Sequence, residues 1–243
     1  MVKQRFFQLD TEWNVIHYPE KPNGFGVFIF GGEGHFVEEK NSYWLQHFGR
    51  NIWLTALLEA GYTVFYSNLY GNHWGSEKAK DLAESLYHYV IRHEILNERI
   101  HIVAEGMGAL LIPEFVRSLN KKVRTVCVIN PYFSLKEKMD EEKEQLFFYK
   151  KFLQEVKMAN LGKGKQPLAQ TEEVIKDWSF PQVLSILYVM EGNRTFSKRK
   201  IIESLVEQRN KKQFLTHIHY LLPERRNVLT SFILRTFKAN EDL

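Results

Sequence analysis

Short apolar runs alternate with amphipathic segments along most of the 243-residue chain. Apolar runs predict strands over residues 26–30, 62–66, 99–104, 123–129, 183–190 and 213–221. Apolar side chains at three- and four-residue spacing predict helices over residues 42–60, 78–96, 108–119, 198–209 and 227–238. Such alternation is typical of a mostly parallel sheet covered by helices on both faces.

Two stretches depart from this alternation. Residues 5–9 and 13–17 predict two short strands at an antiparallel edge of the sheet. Residues 132–180 contain no strand pattern, and they predict a helix over 137–157, a glycine–lysine link at 162–165 and a short helix at 171–178. We therefore expect one three-layer α/β/α core of about eight strands, formed by residues 1–131 and 181–243, with residues 132–180 inserted as a helical lid.

Composition and charge narrow the class of protein. The chain is 44% hydrophobic and 26% charged with a formal net charge of +4, as expected for a globular domain. The basic clusters at 198–200 and 225–226 are short and lack a recognition module, so we expect no nucleic-acid partner. The single cysteine, Cys127, lies in an apolar run, which excludes a disulfide framework and indicates a buried thiol.

Membrane and metal partners are not expected either. The first residues lead to no apolar signal segment, and no apolar run approaches the ~20 residues that span a bilayer, so we expect a cytoplasmic protein without a membrane partner. His217 and His219 share one strand face and could chelate a metal, but no carboxylate or cysteine completes the set. We therefore expect no metal and no cofactor.

The most informative segment is residues 102–110, Ile-Val-Ala-Glu-Gly-Met-Gly-Ala-Leu. It reads as an apolar strand, a tight turn between small residues and a helix start, the frame that presents a nucleophile above a parallel sheet. The central position of that frame is occupied by Gly106. Glycine tolerates the left-handed turn but carries no side chain that can attack a substrate.

The chain resembles the α/β-hydrolase fold in four segments that occur in the expected order. Residues 104–110 are similar to the family's Gly-x-Ser-Met-Gly-x-Leu with glycine in place of serine, and residues 28–32 are similar to its strand and oxyanion turn. Residues 60–64 are similar to the strand after its first helix, and residues 68–76 to the loop that follows. The resemblance implies a degenerate member of the superfamily, because the catalytic positions differ.

The resemblance places all three triad positions on unsuitable residues. The nucleophile position falls on Gly106 and the acid position on Thr195, and the loop 222–227 that would supply the base contains no histidine. The oxyanion donors implied by the resemblance are retained, namely the backbone N–H of Met107 and one from Gly32 or Glu33. Gly32, Glu33, Gly106 and Met107 would then line a pocket for a carbonyl or carboxylate.

Three functional hypotheses follow. The first is a protein that has lost triad catalysis and binds a small molecule or a protein partner. The second is an atypical, esterase-like hydrolase that uses relocated groups, namely His35, His73, Ser76 and Glu105. The alternative interpretation of those residues is structural, with both histidines bonded to backbone and Ser76 capping a helix. The third is a partner-binding module whose charged segment 136–157 docks a protein, which an exposed apolar patch on that helix would favour.

Overall fold

The computed structural model describes residues 3–160, 178–190 and 194–241. Eight strands form one sheet in the order β1-β2-β4-β3-β5-β6-β7-β8. β1 and β2 run antiparallel to their neighbours, and the other pairs are parallel. The strands are β1 (Lys3–Leu9), β2 (Glu12–Tyr18), β3 (Gly26–Phe30), β4 (Thr63–Ser67), β5 (Ile100–Glu105), β6 (Val123–Ile129), β7 (Val183–Val189) and β8 (Thr216–Leu221). The predicted sheet, with its antiparallel edge, is thereby confirmed.

Helices pack on both faces of this sheet. They are α1 (Tyr43–Gln46), α2 (Phe48–Glu59), α3 (Glu77–His93), α4 (Ile112–Leu119), α5 (Leu135–Glu142), α6 (Leu146–Ala159), α7 (Arg194–Lys211) and α8 (Leu229–Lys238). One core layer joins the sheet to α3, α4 and α7, and the other joins it to α2 and α8. The architecture is therefore the expected three-layer α/β/α sandwich.

Three predicted helices are interrupted. The helix predicted over 42–60 breaks at His47, whose backbone is extended. The helix predicted over 137–157 divides into α5 and α6 around residues 143–145. The helix predicted over 108–119 begins as a 3₁₀ turn, Gly106–Leu111, and becomes α-helical only in α4, where Pro113 occupies the first turn. Apolar periodicity continues through each break, so the sequence pattern does not reveal it.

Two helices, α5 and α6, follow β6 and lie near the carboxyl ends of the strands. Phe152 and Val156 of α6 are buried against Trp74 and Met107, beside the turn that follows β5. The predicted link at 162–165 and nearly all of the short helix at 171–178 lie outside the described residues. In the part of the chain that the structure describes, no helix is long and apolar enough to cross a membrane.

Candidate functional site

The turn after β5 retains the backbone geometry of a nucleophile elbow. Gly106 has φ +48°, the left-handed conformation that projects a central side chain above the sheet. A Cβ placed on Gly106 would find its nearest neighbours at Gly32 Cα, 3.8 Å away, and Tyr132 Cε2, 3.9 Å away. Both are ordinary van der Waals distances. The position therefore has room for a Cβ, although glycine has no side chain there.

Gly108, two residues further on, meets a different constraint. A Cβ at this position would lie 2.4 Å from the carbonyl oxygen of Phe30 and 2.8 Å from that of Gly31. The backbone after the elbow thus approaches the end of β3 too closely for any side chain. Gly108 is therefore required for the backbone packing of the elbow, whereas Gly106 leaves the elbow without a nucleophilic side chain.

The turn after β3 lies directly beside the elbow. A Cβ on Gly32 would lie 3.3 Å from the carbonyl oxygen of Glu105, and Gly32 is itself the nearest backbone neighbour of the Gly106 position. This is where the resemblance places oxyanion donors. Anion binding by the N–H groups of Gly32, Glu33 and Met107 remains a proposal.

Tyr132 bounds the space above the elbow. It follows β6, and its backbone N–H donates to the carbonyl oxygen of Gly106 over 3.1 Å. Its hydroxyl donates to Glu141 Oε2 over 3.3 Å, and burial together with the neighbouring carboxylates raises its pKa. Tyr132 was not singled out from the sequence, although its position at the carboxyl end of a predicted strand could have indicated a place in the site.

His35 and His73 are both buried and hydrogen-bonded to backbone. His35 Nε2 donates to the carbonyl oxygen of Ser67 over 3.1 Å, and His73 Nδ1 accepts from the N–H of Gly75 over 3.1 Å. Burial lowers the pKa of His35 to about 4. Burial, and secondarily the proximity of His35, lowers the pKa of His73 to about 3. Both imidazoles are therefore neutral at physiological pH.

Ser76 and Glu105 also have structural partners. Ser76 Oγ accepts from the N–H of Ala79 over 3.4 Å and caps the first turn of α3. The carboxylate of Glu105 binds both the Nε, at 3.2 Å, and the Nη2 of Arg50. This two-point ion pair engages both oxygens of the Glu105 carboxylate.

The remaining predicted positions lie on β6, α7 and β8. Thr195 lies in the first turn of α7, and its side chain and the preceding residues 191–193 are outside the described part. His217 and His219 are stacked at 6.5 Å, and His219 packs against Phe232 at 4.1 Å. Among residues 3–160, 178–190 and 194–241, no group of three or more histidine, cysteine or acidic side chains could hold a metal. Cys127 is buried, which raises its pKa to about 12.

A cleft of about 300 Å³ lies between the turn after β3 and the two inserted helices. Its floor and walls include Glu33, Trp74 and Lys138. The ammonium of Lys138 lies 3.1 Å from the Glu33 carboxylate and 2.6 Å from that of Glu142, so the charges of this wall are paired. Trp74 Nε1 donates to Glu155 over 2.9 Å. Lys138 and Trp74 were not singled out from the sequence, because only the fold brings these segments together.

Two other cavities are present. The larger, about 870 Å³, lies between α7 and β8, three strands from the elbow, and is mainly apolar. The second, about 390 Å³, has His73 and Ser76 on one wall and α6 on the other. We place the candidate site in the cleft beside Glu33 because Glu33 follows Gly32, the backbone neighbour of Gly106, and because Trp74 packs with Met107; this cleft is smaller than the cavity at β8.

A mostly parallel sheet in this strand order, with a left-handed elbow after β5, has the α/β-hydrolase fold. No protein-family model and no curated protein matches the sequence. Solved structures match over nearly its whole length. An S-formylglutathione hydrolase of Staphylococcus aureus is 12% identical, with 97% of this chain and 98% of that chain covered and a TM-score of 0.66.

Two further structures give the same picture. An S-formylglutathione hydrolase from Agrobacterium tumefaciens is 10% identical over 98% of this chain and 94% of its own, with a TM-score of 0.66. An esterase of Pyrococcus furiosus is 14% identical over 100% of this chain and 92% of its own, also with a TM-score of 0.66. At such low identity the likeness establishes the fold, and the chemistry must be argued from the residues of this chain.

Proposed function

We propose that this chain has lost triad catalysis and uses the cleft beside Glu33 to bind a small molecule. The observation that carries the proposal is Gly106, a glycine in the left-handed elbow position where a hydrolase of this fold needs a nucleophile. Without a side chain at that point, no covalent acyl intermediate can form by the usual route.

The surroundings of the four residues that an atypical hydrolase would use support the same proposal. A general base must accept a proton near neutral pH, yet the low pKa of His35 and of His73 leaves each a poor proton acceptor. Glu105 is tied to Arg50, and Ser76 caps α3. Each group thus has a stabilising role that accounts for its presence.

The cleft has the composition of a ligand site. Aromatic side chains of Trp74, Phe148 and Phe152 provide apolar walls. The two lysines of the cleft, Lys138 and Lys151, are each paired with glutamates that also line it. Pockets that bind small molecules combine such apolar walls with a few fixed polar groups. We propose an aromatic monocarboxylate as the ligand, whose carboxylate would replace a glutamate at Lys138 or meet the N–H groups of the turn.

A labelling and turnover experiment tests the loss of catalysis. We expect the purified chain to resist a fluorophosphonate probe and to show no saturable hydrolysis of p-nitrophenyl acetate. Gly106→Ser is the variant to compare with the unmodified chain, because it places a hydroxyl at the elbow and the space there accommodates a Cβ. Saturable turnover by the unmodified chain that is lost in Ser76→Ala or Glu105→Gln would instead establish the atypical hydrolase.

A binding experiment tests the cleft separately. Phenylacetate should bind saturably and change the fluorescence of Trp74, which lines the cleft. Lys138→Met should weaken this binding, whereas Lys200→Met, an exposed lysine on α7, should leave it unchanged. Equal binding by both variants would exclude Lys138 as a ligand contact, and absence of any binding would argue against this class of ligand.

A further inference from the structure

The outer face of α6 carries large apolar side chains that no other part of the described chain covers. Leu146, Phe147 and Phe148 are 65%, 74% and 49% exposed, and Met158 is 60% exposed. The opposite side of the same helix buries Phe152 and Val156 against the body of the protein. Exposed apolar patches of this kind mark contact surfaces.

The exposed residues form an ordered pattern around the helix. Since an α-helix turns by about 100° per residue, Phe147, Gln154 and Met158 lie along one line of its surface. Lys150 and Lys157 flank this line on one side and Lys151 flanks it on the other. Phe147 and Met158 thus lie on one line of the helix with the polar Gln154 between them, and lysines border this line on both sides.

The charge of this face has one sign. The exposed ionisable side chains of α6 are Lys150, Lys151 and Lys157. The one acidic residue of the helix, Glu155, is partly buried; it accepts from Trp74 Nε1 over 2.9 Å and lies 3.8 Å from the ammonium of Lys151, which leaves Lys150 and Lys157 as the outward charges without a described ion pair. The outer face therefore complements a negatively charged surface.

We propose that the outer face of α6 docks onto an anionic lipid surface. Helices that lie on membranes combine aromatic and aliphatic side chains with flanking lysines, whose ammonium groups meet the lipid phosphates. Its exposed side chains can enter a bilayer interface without a complementary pocket. This is surface docking by one helix and needs no membrane-spanning segment.

The position of the face gives the proposal a functional consequence. Phe148 and Lys151 lie at this surface and also line the cleft beside Glu33. Docking would bring the mouth of the cleft to the lipid boundary, where amphiphilic ligands are concentrated. The docking proposal does not depend on the ligand proposed for the cleft, and its test uses lipid alone.

Vesicle sedimentation with the full chain tests the proposal. We expect binding to phosphatidylcholine vesicles that contain phosphatidylglycerol, weaker binding at high salt, and little binding to phosphatidylcholine alone. Lys150→Gln combined with Lys157→Gln should weaken binding about 25-fold, since each lysine contributes about 1 kcal/mol, or about 5-fold. Phe147→Ser should weaken it at least about 10-fold.

Matched controls distinguish binding by this face of α6 from non-specific binding by exposed aromatic or basic side chains elsewhere. Phe48→Ser removes an aromatic side chain of similar exposure, 82%, from α2, and Lys200→Gln with Lys212→Gln removes two exposed lysines elsewhere. Both controls should bind vesicles like the unmodified chain. The proposal is overturned if no vesicle is bound, if binding does not need phosphatidylglycerol, or if the controls weaken it equally. Self-association without lipid that Phe147→Ser abolishes would overturn it in favour of a contact between copies of this chain.

Discussion

At the scale of single residues, the elbow contains two glycines that are required for different physical reasons. Gly106 needs its left-handed backbone, and a Cβ there meets its nearest neighbours at 3.8 Å or more. We expect Gly106→Ala to lower the free energy of unfolding by about 1–2 kcal/mol, the cost of the left-handed conformation for a residue with a Cβ. A Cβ on Gly108 would instead overlap backbone atoms of β3. Gly108→Ala should therefore cost about 3 kcal/mol or more.

Urea unfolding of the two alanine variants, followed by circular dichroism, measures this difference directly. The two variants add the same methyl group two residues apart, so each serves as the control for the other. Equal destabilisation would show that the backbone at Gly108 can move away from Phe30. In that case the approach of the elbow to β3 would not be what requires a small residue.

Only part of the candidate site could be predicted from the sequence. The missing side chain at Gly106 is visible in the sequence, because the frame around it is local and the strand before it is regular. Tyr132 and Lys138 were not foreseen, since Tyr132 meets Gly106 and Lys138 meets Glu33 only after distant segments have folded together. Their roles depend on tertiary contacts that no local pattern encodes.

At the scale of secondary-structure elements, one buried arginine joins α7 to the strands beside it. Arg209 donates to the carbonyl oxygens of Trp178, Phe180, Gln182 and Leu215 and to the hydroxyl of Thr216. Burial lowers the pKa of its guanidinium to about 10, so it stays charged at neutral pH. We expect Arg209→Met to destabilise the fold by about 3 kcal/mol or more, because several buried carbonyls lose their donors at once.

Arg199 on the same helix is the matched control. It is exposed and pairs only with Glu203 of the next turn among the contacts described, at 2.8 Å. Arg199→Met should therefore leave the free energy of unfolding almost unchanged, because an exposed ion pair contributes little to stability. A similar small effect of Arg209→Met in urea unfolding would mean that water replaces the guanidinium at those carbonyls.

Element boundaries were predicted less well than element types. Each strand of the sheet was predicted from the sequence, because short runs of β-branched and aromatic residues are typical of buried strands. The break at His47 and the 3₁₀ turn from Gly106 to Leu111 were missed. Both depend on how the backbone meets neighbouring elements, while the apolar spacing that predicts a helix continues through them.

At the scale of the whole molecule, buried neutral histidines make stability depend on pH. His17, His35 and His73 are almost fully buried. Burial lowers the pKa of His17 to about 4, of His35 to about 4 and of His73 to about 3, from 6.5. Below pH 6.5 the unfolded chain takes up protons that the folded chain does not, so stability falls as pH falls from 6.5 towards 4. Each imidazole should cost about 2 kcal/mol at pH 5.

Urea unfolding at a series of pH values between 7.5 and 5 checks this dependence. The slope near pH 5.5 should correspond to the uptake of at least about three protons on unfolding, since burial also lowers the pKa of His101 and of His219. His17→Gln should reduce that slope by close to one proton, since glutamine can keep the hydrogen bond that His17 Nε2 forms with the Tyr66 hydroxyl at 2.8 Å. A stability that stays constant from pH 7.5 to 5 would mean that these imidazoles gain charge in the folded protein, and with it they would regain the capacity to act as bases.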